Sequence, residues 1–177
     1  MIKLILIFFV GLINISNAID WLCDDYYKLE QKKLGVTWGK HSLLKRPELK
    51  NDISKAVKSA SLKYQMDPFL ILATIWKESR FDIKVIKLKH KGPKGSLGLM
   101  QILPHGICNK NCDLNTIEGQ IDCGTKCLAQ SIKYCNGNIS QGFSNYISGN
   151  GCRNINAGKR RYVLYLKLKG VFDGSTD

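Results

Sequence analysis

Residues 67–81 read DPFLILATIWKESRF. From Pro68 to Trp76 the run is apolar on every helical face except at Thr74, the pattern of a helix surrounded by protein on all sides. Asp67 is a good N-cap and Pro68 suits the first helical position, so the start is well defined. Apart from Thr74, polar side chains arrive only in the last turn, as Lys77, Glu78 and Ser79. A carboxylate delivered there by a buried helix is partly desolvated, and desolvation raises its pKa toward the range where a general acid is still protonated near neutrality. Glu78 is therefore the candidate acid, set against the plain alternative of a surface glutamate at a helix end.

Working outward, the segment 82–96 holds five lysines, His90 and a Gly-Pro pair and reads as a loop. It leads into GLMQILP at 98–104, where Gly95 and Gly98 allow backbone to approach a ligand or the buried helix. Upstream, Ile53, Ala56, Val57, Ala60 and Tyr64 recur at three- and four-residue spacing with Lys55, Lys58 and Lys63 off the stripe, an amphipathic helix entered at Pro47 and Asn51. Between Ile19 and Arg46 no clean period is visible, and only 24–33 reads as a short helix. Downstream, residues 117–134 suit another helix, in which Gly124 costs about 1 kcal/mol relative to Ala and implies that a further helix crosses closely. A turn at Asn136-Gly137-Asn138 and a basic closing helix over 159–169 complete a mainly α chain, with a disordered tail from Gly170.

The chain has 177 residues, enough for one domain with a real core. Residues 1–18 read as a secretory signal peptide, with Lys3, the apolar run 4–13 and Ser16-Asn17-Ala18 as cleavage site; an uncleaved anchor is the alternative. The cysteines Cys23, Cys108, Cys112, Cys123, Cys127, Cys135 and Cys152 agree with an oxidising compartment, and the six from 108 onward are expected to staple the C-terminal half. Their pairing cannot be read from spacing, and the odd one is a free thiol or an intermolecular bridge. Zinc is the competing reading of Cys108-x3-Cys112 and Cys123-x3-Cys127, disfavoured because the export signal favours disulfides and no histidine sits among them. No metal or cofactor is expected. The formal charge of +13, or +12 without Lys3, implies attraction to anions. Nucleic acid, anionic lipid and an acidic cell wall all qualify, and the export signal argues against nucleic acid.

Glu78-Ser79-x-Phe81, followed at about twenty residues by Gly98-Leu99-Met100-Gln101 and Pro104, resembles the lytic transglycosylases with a soluble-lytic-transglycosylase-type (SLT) catalytic domain, related to goose-type lysozyme. The resemblance spans residues 52–168 or so and implies a lysozyme-like single domain. Its units are a leader at 1–18, an N-terminal extension packing on the domain at 19–51, the catalytic domain at 52–169 and a tail at 170–177. It also implies a cleft wall at 98–101, with Met100 and Gln101 meeting sugar N-acetyl groups; a core-filling Met100 is the alternative. Tyr146, in the segment GFSNYISGNG at 142–151, is implied to orient the catalytic carboxylate, and Tyr162 of Tyr162-Val163 to reach the active site. The chain departs from the family pattern at Gln120 (Asn), Cys127 (Tyr), Ile147 (Asn) and Ser96 (Ala). The loop after Glu78 resembles members attached to secretion and conjugation machines.

Glycoside hydrolysis ordinarily needs two carboxylates across the scissile bond. The motifs supply one, since Asp82, Asp113, Glu118 and Asp122 have no pattern locating them opposite Glu78. The family resemblance implies a single-acid reaction in which the substrate's own C6 hydroxyl is the nucleophile and a 1,6-anhydro sugar is formed. Ser79 is expected to bond the glutamate or position substrate, because His41, His90 and His105 carry no motif tying them to it. The expected protein is an exported, monomeric enzyme acting on a peptidoglycan strand, with a secretion or conjugation apparatus as a further partner. The alternatives are a lysozyme-type hydrolase, a non-catalytic wall-binding protein and a basic antimicrobial protein.

Overall fold

The computed structural model describes residues 15–37, 41–103, 112–149 and 151–172. The helices are α1 (Ile15–Trp21), α2 (Tyr27–Leu34), α3 (Pro47–Tyr64), α4 (Pro68–Ser79), α5 (Ile83–Ile86), α6 (Ile117–Tyr134), α7 (Ile139–Ser148) and α8 (Asn156–Phe172). A π-helical turn, Leu22–Tyr26, joins α1 to α2, and single 3-10 turns occupy Ser42–Lys45 and Pro93–Gly95. Among the described residues the sole β pairing is the bridge between Leu97 and Ile102. The architecture is mainly α, with α4 at its centre.

The start of α4 follows from its first two residues: the Asp67 carboxylate accepts from the Phe69 N–H at 2.9 Å, and Pro68 opens the helix. Every residue from Phe69 to Trp76 is buried. α1, α3 and α8 pack around it. Removing a side chain such as Ile71, Leu72 or Ile75 from water contributes about 1.5–3 kcal/mol each, so this helix is held by what surrounds it. α8 is tied back to its start, where the Tyr165 hydroxyl donates to Asp67 Oδ2 at 3.1 Å.

Several boundaries differ from the sequence reading. The N-terminal helical run is longer than 24–33, because it starts at Ile15, and Ile15, Ala18, Ile19, Leu22 and Cys23 are all buried in the core. Residues 1–14 of the expected leader lie outside the described residues; 15–18 are the first turn of α1. The 82–96 segment is not wholly loop: Asp82 accepts from the Lys84 N–H at 2.8 Å and starts α5, which buries Val85 and Ile86. α8 runs beyond Gly170 to Phe172, whose ring lies 6.1 Å from that of Trp21. Among the described residues no helix is long and apolar enough to cross a membrane.

The C-terminal half is stapled as expected. Cys112–Cys123 joins the segment before α6 to that helix, and Cys135–Cys152 joins the end of α6 to the approach to α8. Cys127 is disulfide-bonded as well. Three of the four thiols in the zinc reading are therefore oxidised and unable to act as thiolate ligands. Cys23 is the free thiol, buried in the core, where loss of water pushes its pKa up and leaves it unreactive.

Candidate active site

Glu78 stands on the last turn of α4, two residues before an abrupt reversal. Arg80 caps the helix in the left-handed region at φ 49°, and Phe81 follows at φ 53°. A bulky residue with positive φ is a true backbone outlier, costing on the order of 1–3 kcal/mol. It persists because the Phe81 ring is fully buried beside Trp76, with centroids 6.1 Å apart. The strained turn fixes where α4 stops and hence where the Glu78 carboxyl sits.

That carboxyl is only 18% exposed, and its partner is the guanidinium of Arg161 on α8, Nη2 to Oε1 2.5 Å, itself 6% exposed. Burial raises the Glu78 pKa and the Arg161 charge lowers it, burial being the larger effect. The net direction is upward, as a general acid requires. Arg161 is the charge that opposes that rise. Arg161 also keeps its buried Nε without a hydrogen-bond partner among the described residues.

The other carboxylates are engaged elsewhere. Asp82 caps α5. Asp113 closes a local turn on the Asn115 N–H at 3.0 Å, and Asp122 binds Lys63 at 2.8 Å and the Tyr64 hydroxyl at 3.1 Å on the face toward α3. Glu118 lines a recess of about 400 Å³ between α3 and α6, with Asp52 and Lys55, and that recess does not include Glu78.

The 98–101 turn is built around a residue noted in the sequence only as a departure. Gln120 is fully buried, accepts from the Leu99 N–H at 2.9 Å and donates to the carbonyls of Ile86 and Leu114, each at 3.0 Å. One amide thus ties α5, the turn and the approach to α6 together. Gly98 is required beneath it: its φ is 71°, and a Cβ there would lie 2.7 Å from the Gln120 side chain. Leu99 and Met100 are fully buried. Met100, expected to meet a sugar, instead packs its thioether on Gly124, where a Cβ would collide with it. The close approach inferred at Gly124 is therefore that of a side chain from the turn, not a crossing helix. Gln101 spends its amide within the turn, donating to Gly98 O at 3.0 Å and accepting from the Ser96 hydroxyl at 2.8 Å.

Tyr146, on α7, does not bond Glu78. Its hydroxyl donates to the Met100 carbonyl at 2.7 Å, joining α7 to the turn, and burial followed by the negative charge of Glu78 pushes its pKa up. It stands close enough to feel the carboxylate and remains a protonated donor. Ser79, expected to bond the glutamate, donates to Ile75 O at 3.0 Å within α4. Tyr162 is half-buried with its ring 6.1 Å from that of Tyr165. Pro104, Cys108 and His105 lie outside the described residues.

The structure thus brings together Glu78, Tyr146 and the Met100 carbonyl, and adds Arg161, which the sequence reading missed inside the basic run 159–161. The signal was spacing: Gly158, Arg161, Leu164, Tyr165 and Leu168 form the buried stripe of α8, and of the three adjacent cations only Arg161 lies on it. A buried acid paired with a buried arginine at the end of a central helix is a perturbed titratable pair of the kind that marks a candidate functional site. A family model described as Transglycosylase SLT domain matches residues 55–163, more than half of the chain and all of these site residues. No solved structure matches the chain. The chain belongs to the SLT-domain transglycosylase family, whose members cleave the glycan strands of peptidoglycan.

Proposed function

We propose that the protein is an exported peptidoglycan lytic transglycosylase in which Glu78 serves as acid and then as base. It cleaves the β-1,4 bond between N-acetylmuramic acid and N-acetylglucosamine. The protonated Glu78 gives its proton to the bridging oxygen as the bond from the anomeric carbon breaks, with the N-acetyl group stabilising the developing positive charge. The C6 hydroxyl of the same sugar then attacks the anomeric carbon, and its proton passes to Glu78. The product is a 1,6-anhydro sugar, and no water is consumed.

The observation that carries this reading is the isolation of Glu78. Its pKa is raised by burial, and its ion-pair partner is the Arg161 cation, while Asp82, Asp113 and Asp122 are engaged elsewhere. A two-carboxylate hydrolase needs a second carboxylate across the bond. Arg161 fits the second half of the cycle, because the ionised Glu78 left after proton donation is a buried charge that requires a partner. The disulfides support placement outside the cytoplasm, with residues 1–18 as the leader.

Digestion of purified sacculi tests the proposal. Mass spectrometry is expected to find anhydro ends that resist alkaline borohydride, and Glu78→Gln to produce no clearing in a peptidoglycan gel. Reducible ends would identify a hydrolase. Binding without clearing by the wild type would identify a wall-binding protein on the same fold.

A further inference from the structure

The reversal after Glu78 is gripped from a direction that the matched family region does not include. On α2, Glu30 is 14% exposed and reaches both sides of the catalytic position: Oε1 takes Lys77 Nζ at 2.6 Å and Oε2 faces Arg80 Nε at 3.4 Å. Lys77 precedes Glu78 and Arg80 follows Ser79, so a single carboxylate brackets the last turn of α4. His41, 8% exposed, makes the second hold. Its Nδ1 accepts from the Leu43 N–H at 3.2 Å, which leaves the proton on Nε2, and Nε2 donates to the Arg80 carbonyl at 2.6 Å.

The same segment cages the helix laterally. The rings of Tyr26, Tyr27 and His41 stand 5.9, 6.2 and 5.9 Å from Trp76. Arg80 and Phe81 occupy consecutive left-handed conformations, which persist only where surrounding structure over-determines them. His41 hydrogen-bonds the Arg80 carbonyl, and Glu30 meets the Arg80 guanidinium as an ion pair at 3.4 Å in which Oε2 makes no hydrogen bond among the described residues. Both residues lie upstream of position 55, where the family match begins.

We propose that Glu30 and His41 are positioning residues for catalysis, clamping the strained turn so that the Glu78 carboxyl stays shielded from water and within reach of Arg161. The 15–45 segment is on this view part of the catalytic apparatus and not an appendage. The proposal rests on Glu78 being the acid. Loosening the clamp admits water around Glu78 and misplaces its oxygens, and a displacement of about 1 Å costs on the order of a hundredfold in rate. The chemistry suffers; the binding of the sugar strand does not.

The test uses the full exported chain with Glu30→Gln, which keeps shape and removes charge, and with His41→Leu and His41→Gln. Leu leaves the Arg80 carbonyl without its donor. Gln restores a donor at nearly the position of Nε2, with no change of charge. On soluble glycan oligomers, Glu30→Gln and His41→Leu are expected to lower kcat about tenfold or more with KM within twofold, and His41→Gln to recover most of the loss. Independently of activity, carboxyl-carbon NMR of Glu78 is expected to show its titration moving down toward the ordinary carboxylate range in Glu30→Gln and His41→Leu, while His41→Gln stays near wild type. A Glu78 titration and a kcat both unmoved in folded variants would overturn the proposal. Hydrolytic ends from the wild type would count against the proposed function alone, since the NMR titration reads the clamp whichever products form.

Discussion

At Glu78 two influences oppose each other on one carboxyl. Loss of water favours the neutral form, Arg161 favours the ionised one, and the first is larger. The folded-state pKa therefore exceeds that of an unfolded chain, about 4.3 for glutamate. Such a group contributes stability that is fully present below about pH 4.3 and is lost as pH rises through the folded value. Glu78→Gln has no charge to bury, so the melting temperature of the wild type relative to that variant is expected to fall as pH is raised from about 4 into the neutral range. Calorimetry of both proteins across that window checks it; a difference that stays constant, or grows with pH, contradicts the assignment. The residue that completes the pair was hidden in the sequence because Arg161 stands in a run of cations, and a run of cations normally means a solvated face. Gln120 was hidden for a different reason. A buried amide that satisfies three separate backbone groups has no local pattern; it becomes visible only when the segments it joins have been brought together.

Among the elements, those with strong internal periodicity were legible. α4 was readable as a helix buried on all sides, and α3 and α6 from their spacing, α6 ending at Tyr134 as the pattern implies. The N-terminal helical run was not, and the reason is concrete. Its buried positions, Ile15, Ala18, Ile19, Leu22 and Cys23, follow an alternation of three and four residues, but the stripe begins inside the stretch assigned to the leader. Dropping 15–18 discards the first turn of the pattern. The same overlap has a consequence for maturation. Cleavage after Ala18 removes Ile15 from the core, where it is 3% exposed, and places a charged amino group on Ile19, which is fully buried. Loss of a buried Ile side chain costs about 2–5 kcal/mol, and each kcal/mol shifts the melting point of a chain this size by about 2–4 °C. A protein beginning at Ile19 is therefore expected to melt about 4 °C or more below one beginning at Ile15. Equal melting points would show that α1 gains nothing from its first turn, and mass spectrometry of the protein isolated from cells would show whether it is cleaved and at which residue it then begins.

For the molecule as a whole, the site is assembled from two distant parts of the chain: Glu78 comes from α4 and Arg161 from α8, a helix held at both ends. The far end is held by Tyr165 and Lys169 on Asp67, at 3.1 and 3.6 Å, and by Phe172 against Phe69, with ring centroids 6.1 Å apart. The near end is held by Cys135–Cys152, whose partners are 17 residues apart, and by the Ser144 hydroxyl, which accepts from the Ile155 N–H at 3.2 Å. α7 lies within that covalent loop, so the cross-link also limits how far Tyr146 can move from the turn at Met100. Closing a loop of this length contributes about 3 kcal/mol by restricting the unfolded chain. Replacing Cys135 and Cys152 together by serine is expected to lower the melting temperature by about 6–12 °C. Activity below the new melting point is expected to fall too, because the start of α8 then drifts and the guanidinium that meets Glu78 drifts with it. Calorimetry and release of soluble muropeptides on the same samples separate the two effects. A variant that melts lower yet retains wild-type turnover at low temperature would mean that the far end of α8 and its packing on α4 suffice to place Arg161.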